Sequence, residues 1–120
     1  MAQLATNTAP DAALPANAID RAQLARMTLG DRNLEREVLQ LFDRQAGLLL
    51  GRMYSGETDA VASLAHTLKG SAAGIGAGAV MSAAAAVERA GPAERHIALD
   101  RLAAAIDEAC VAIAALLADP

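Results

Sequence analysis

Val61-Ala62-Ser63-Leu64-Ala65-His66-Thr67-Leu68-Lys69-Gly70-Ser71-Ala72-Ala73-Gly74-Ile75 decides the fold, because its large apolar side chains return at helical and not at strand spacing. At 100° per residue from Val61, the side chains of Leu68, Ala72 and Ile75 fall within about 40° of it, while His66 lies at about 140° and Gly70 at about 180°. One face of this helix is apolar and seeks a core; the histidine is on the other. Lys69 stands one turn on from His66 at i+3 and Gly70 at i+4, so both are surface neighbours of the imidazole. A nucleophilic ring, a cation and a position without a side chain thus share one patch, which is suited to receiving a phosphoryl group.

Working outward, start and stop signals predict four further helices and no strand. Asp20 caps a short helix carrying Leu24 and Met27, which Gly30 ends. Asp31 caps a long helix reaching about Tyr54, with a stripe of Leu34, Val38, Leu41, Phe42, Leu48 and Leu49 that Gln45 alone interrupts. Ser55-Gly56-Glu57 forms a turn, and Thr58 or Asp59 caps the helix of His66, which frays in Gly74-Ile75-Gly76. A fourth helix spans roughly 78–90, and Gly91-Pro92 stops it and starts the fifth. That last helix presents Leu99, Leu102, Ala103, Ile106, Cys110, Ile113 and Leu117 on one stripe. The expected fold is all-α: an antiparallel four-helix bundle over residues 18–118 with a short additional N-terminal helix, preceded by a disordered leader over 1–17.

Composition narrows the function. A chain of 120 residues holds one core and has no room for a nucleotide-binding catalytic domain beside it, so ATP chemistry is expected to come from elsewhere. A net charge of −4, with Phe42 and Tyr54 the whole aromatic complement, argues against nucleic acid and anionic membranes as partners. The uncharged stretch between Lys69 and Glu88 is built of alanine and glycine, which suits helices packing closely better than a membrane span. A lone cysteine and the lack of an export-type leader point to a cytoplasmic setting. Metal ligation is not expected, since His66, His96 and Cys110 lie on separate helices without ligand spacing. His96 reads as a solvent-facing structural residue, Cys110 as core packing, and Ser71 as packing or a local backbone bond. The glycines of Gly74-Ile75-Gly76-Ala77-Gly78 lack the strand and the Lys-Ser/Thr ending of a phosphate loop.

Glycine inside a helix costs about 1 kcal/mol against alanine, and this chain uses alanine freely elsewhere. Gly70 therefore either packs against a neighbour, begins the helix break, or keeps space open beside His66.

The segment His66-Thr67-Leu68-Lys69-Gly70-Ser71-Ala72, followed by Gly76-Ala77, resembles the signature of histidine-containing phosphotransfer (HPt) domains, the four-helix bundles of multistep phosphorelays. The likeness runs from about residue 19 to 117. It implies that His66 accepts phosphoryl on Nε2 from a receiver-domain aspartyl phosphate and passes it to another receiver, or drains it as a sink. Lys69 would contact the phosphoryl oxygens and Gly70 would give access. Glu88 stands where the family often has Gln or Glu; a carboxylate there repels phosphoryl yet is able to orient the imidazole through its Nδ1 hydrogen. The implied partners are response-regulator receivers and a hybrid histidine kinase. The protein itself would be a monomeric carrier without kinase activity or cofactor, Mg²⁺ being held in the receiver. Docking contacts are expected around the outward face of the His66 helix and the adjoining face of the helix before it, with Leu50 and Ala73 as candidates, Leu50 being equally able to pack under the short first helix. A histidine kinase dimerisation segment is a poorer fit, because Thr67 and Lys69-Gly70-Ser71 replace the usual acidic residue and proline. A helical adaptor that regulates a receiver or kinase by docking alone is the alternative reading.

Overall fold

The computed structural model describes residues 18–56 and 58–118. The leader expected over 1–17 lies outside them, as do the side chains of the proposed caps Thr58 and Asp59. Among the described residues five helices follow one another: α1 (Arg21–Thr28), α2 (Arg32–Ser55), α3 (Thr58–Ile75), α4 (Gly78–Arg89) and α5 (Arg95–Ala118). No strand occurs among the described residues. α2 packs on α3, α3 on α4, α4 on α5 and α5 on α2, which closes a four-membered ring, while α1 lies against α2 and α3. Arg36 donates to the Leu117 carbonyl at one end of the α2–α5 contact and Tyr54 to Asp100 at the other, so these helices run antiparallel. The expected bundle with its short extra helix is what forms.

Local signals explain most boundaries. The Asp20 carboxylate accepts from the amides of Ala22 and Gln23, and that of Asp31 from Leu34, which satisfies free N–H groups at the starts of α1 and α2. α3 ends in a left-handed cap in which Gly76 has φ +77°, the Gly76 amide donates to Ala73 and the Ala77 amide to Ala72. A Cβ on Gly76 would meet the Asp20 carbonyl oxygen at 2.6 Å, and the Asp20 amide donates to the Gly76 carbonyl at 2.8 Å. The α3–α4 turn is thereby tied to the start of α1.

Of the expectations about elements, one is sharpened and two require correction. The helix of Leu24 ends at Thr28, two residues before Gly30: Leu29, with its side chain in solvent, and Gly30 are both left-handed, and the Gly30 amide closes the end on the Ala25 carbonyl. Pro92 does not open the last helix: residues 92–94 form a turn, the Glu94 amide donates to Gly91, and α5 begins at Arg95. The stripe of α2 is rotated from the one expected. Leu39, Phe42, Ala46, Leu49 and Met53 are buried, whereas Leu34, Leu41 and Leu48 are 39 %, 55 % and 71 % exposed. Ala46 lets the neighbouring helices close on this row, so the core selects the smaller, mixed stripe over the leucine one.

Candidate functional site

Val61, Ala65, Leu68, Ala72 and Ile75 are all buried, and this row fixes the rotation of α3. His66 consequently points outward, with its side chain 67 % exposed. Glu88, in the last turn of α4, reaches across to it: the His66 Nδ1 lies 2.9 Å from Glu88 Oε2. Lys69 Nζ donates to the other oxygen, Oε1, at 2.8 Å. Both carboxylate oxygens are thus engaged, one by the ring and one by the ammonium.

This arrangement has a direct chemical consequence. The Lys69 hydrogen bond, reinforced by that from His66, holds the Glu88 carboxyl below the usual glutamate range against a smaller opposing effect of burial. An ionised carboxylate only accepts, so the proton of the contact sits on Nδ1, and the neutral form of the ring keeps its lone pair on Nε2, outside this contact. Nε2 is the atom free to act as nucleophile.

Gly70 lies one turn beyond His66 and is exposed, and a Cβ built there would meet nothing within 4 Å. Packing therefore does not account for the glycine, and α3 continues for five residues past it. Of the residues singled out in the sequence, the structure brings together His66, Lys69, Gly70 and Glu88. Lys69 differs in one respect from the expectation, since its ammonium rests on Glu88. The Ser71 hydroxyl does not make a local backbone bond but donates to Gln45 Oε1 at 3.2 Å, tying α3 to α2 beside the site.

Leu50 is not part of the outward face. It packs half-buried against the core, one turn from Tyr54 on the side of α2 that meets α5. Exposed apolar residues on the α3 side of α2 include Leu41 and Leu48, which flank Gln45 by one turn each way. Their assignment to the core concealed them in the sequence; a leucine row competing with a row containing alanine was the available signal. Ala73 is exposed, two turns along from His66, and borders a shallow concavity of about 230 Å³ with Asp20, Gln23 and Met81.

Other candidates fall away from the site. The His96 side chain is 79 % exposed, with Nε2 3.4 Å from Asp100 Oδ2 and the ring edge-on to Tyr54. Cys110 is half-buried and packs against the core; burial first, and then a hydrogen bond with Asp43, push its thiol up to about 12. It is not a nucleophile at neutral pH. Among the described residues no cluster of three His, Cys, Asp or Glu is placed to hold a metal, and no helix is long and apolar enough to cross a membrane.

Against known families, the model of the Hpt domain matches residues 32–117, most of the chain and all of the four-membered ring. The chain belongs to the Hpt domain family. Neither a curated protein nor a solved structure matches it. Hpt domains are phosphocarrier modules, not kinases, and work with receiver domains and histidine kinases in phosphorelays. Histidine phosphotransfer in two-component signalling is therefore the general role of this Hpt domain. The matched segment contains His66, Lys69, Gly70 and Glu88.

Proposed function

We propose that His66 accepts a phosphoryl group on Nε2 from the aspartyl phosphate of a receiver domain and delivers it to the aspartate of another. The observation that carries this reading is the Glu88 bridge, which keeps the proton on Nδ1 and leaves the lone pair on Nε2 of an exposed ring. In the transfer, that lone pair forms the N–P bond in line as the P–O bond to the aspartyl carboxylate breaks, and the departing electron pair stays on the carboxylate. The ring becomes cationic, and its Nδ1 proton is held against the Glu88 carboxylate, which offsets the new charge.

Lys69 serves two states. At rest it neutralises Glu88; once phosphoryl with charge near −2 is on the ring, the ammonium turns toward its oxygens in a charge-assisted contact. The exposure of the pair keeps that contact modest, which suits a carrier that must release its cargo. Gly70 leaves a gap through which the loops of a receiver reach the ring. The receiver docks on the outward face of α3 and on Leu41 and Leu48 of α2, with Ala73 at one border. The Mg²⁺ that supports such a transfer belongs to the acidic pocket of the receiver.

Incubation with a ³²P-phosphorylated receiver tests the proposal. The protein should acquire label that is acid-labile and alkali-stable, and His66→Gln should acquire none. Label persisting in His66→Gln would defeat the assignment, and a His66→Ala protein that retained its full cellular effect would show that docking alone suffices.

A further inference from the structure

Leu48, the most exposed of the large apolar side chains of α2, has Arg44 one turn before it and Arg52 one turn after. Both arginines are exposed, and neither guanidinium joins an ion pair or a side-chain hydrogen bond among the described residues. The Ser71–Gln45 hydrogen bond gives the register of the antiparallel α2 and α3. His66, five residues before Ser71, is thereby level with position 50, five after Gln45. Along the bundle, Arg52 stands about 3 Å to one side of this level and Arg44 about 9 Å to the other. Between α2 and the imidazole the outward face of α3 shows Ser63, Thr67 and Gly70, none of them charged.

No described acid offsets these two cations. The Glu88 carboxylate is already held by Lys69 and His66, and Asp20 and Asp31 cap helices. Asp43 hydrogen-bonds Cys110 on the α5 side of α2, while Glu35 and Glu37 lie about 20 Å along the helix from the level of His66. Gly51, a surface neighbour of Leu48 at i+3, is exposed inside α2, and a Cβ there would meet nothing within 4 Å. As with Gly70, packing does not account for a residue that weakens a helix relative to alanine, and the gap lets the chain of a partner come close to Leu48.

We propose that Arg52 and Arg44 select and orient the receiver by pairing with carboxylates on the rim of its phosphoryl-bearing pocket, with Leu48 as the apolar anchor between them. The inference rests on the carrier reading of His66. A pocket that holds Mg²⁺ beside a phosphorylated aspartate is built of carboxylates. Such an acidic mouth is repelled by a chain of net charge −4, and two unpaired arginines beside the histidine reverse that sign where the partners meet. The guanidinium fork matches a carboxylate in two hydrogen bonds, so each pair fixes an orientation as well as adding attraction. Two cations about 12 Å apart on an otherwise uncharged face suit two carboxylates of a protein and not the charge density of a nucleic acid. Arg52, nearer the level of His66, carries the larger share.

Initial rates of label uptake against the concentration of the ³²P-phosphorylated receiver test the proposal, at about 50 mM salt and at about 500 mM, where screening cuts the Debye length below about 5 Å. At low salt Arg52→Glu should raise the half-saturating receiver concentration about tenfold, and Arg44→Glu and the milder Arg52→Gln about threefold, with maximal rates within about twofold of wild type. Arg101→Glu makes the same charge change on the exposed side of α5, across the ring from α3, and should leave both quantities within about 1.5-fold. At high salt all variants should fall within about twofold of wild type. Lysine in place of one rim carboxylate of the receiver should weaken uptake by wild type and restore it in Arg52→Glu. Unchanged half-saturation, a loss confined to the maximal rate, an effect that survives high salt, an equal effect of Arg101→Glu, or no rescue by any rim substitution would each overturn the proposal. A wild type that takes up label while the arginine variants behave like it defeats this inference and leaves the carrier assignment standing; a wild type that takes up none defeats both. Unchanged far-ultraviolet circular dichroism confirms that these exposed substitutions leave the bundle folded.

Discussion

Glu88 stands beside the ring proposed to take on a dianionic group, a position where a carboxylate looks unfavourable until its partners are counted. In the resting site Lys69 takes one oxygen and the Nδ1 proton the other, so the carboxylate is balanced there; in the proposed phosphorylated state the cationic ring balances it as Lys69 turns to the phosphoryl oxygens. Glu88→Gln keeps an acceptor for Nδ1 and should retain most of the transfer rate, whereas Glu88→Ala should slow it about fivefold, in keeping with loss of one positioning hydrogen bond worth about 1 kcal/mol. Ring ¹⁵N shifts should report the Nδ1–H tautomer in wild type and a mixture in Glu88→Ala. Gly70 separates stability from function. Since a methyl group there meets nothing, Gly70→Ala should raise stability by about 0.5–1 kcal/mol in urea titrations while slowing transfer from a receiver. Stabilisation without slower transfer would show that the gap has no role.

At the scale of elements, the sequence revealed the helices that carry strong punctuation and misread the one whose faces compete. Asp20, Asp31 and Gly76 act as the caps and stop their chemistry implies. α3 was legible to its rotation because only one of its faces carries large apolar residues. α2 has two leucine-bearing faces, and which one turns inward depends on partners that one helix does not specify. The His66–Glu88 contact was legible only through the family resemblance, as no spacing rule joins residues on different helices across 22 positions, and the hold of Lys69 on the same carboxylate was not legible at all. Two substitutions discriminate the faces of α2: Leu39→Ala should cost about 2–5 kcal/mol in thermal or urea unfolding, whereas Leu48→Asp should leave stability within about 0.5 kcal/mol and weaken receiver binding. Gly76→Ala should destabilise by more than about 1 kcal/mol, because it combines a left-handed φ with a clash against the Asp20 carbonyl.

For the whole molecule, the ring of four helices is a rigid mount that holds α3 and α4 so that a glutamate on one orients a histidine on the other. The mount carries a pH signature. Glu88 titrates lower in the folded chain than unfolded, so its contribution is fully present above the ordinary glutamate range and is lost as pH falls through the lowered folded value. A ¹³C titration of its side-chain carboxyl should show a midpoint below the ordinary value of 4.5, and Lys69→Met should move that midpoint up, since the Lys69 hydrogen bond is the largest cause. The Cys110 thiol, held up by burial, should react with thiol reagents at pH 8 far more slowly than the same cysteine in urea.

The proposed transfer depends above all on which nitrogen of which histidine takes the phosphoryl group. A ³¹P–¹⁵N correlation spectrum of ¹⁵N-histidine-labelled protein, phosphorylated by a phospho-receiver, decides it. The predicted result is a single phosphorus coupled to Nε2 of His66, with Nδ1 still protonated; coupling to Nδ1, or to either nitrogen of His96, would contradict it.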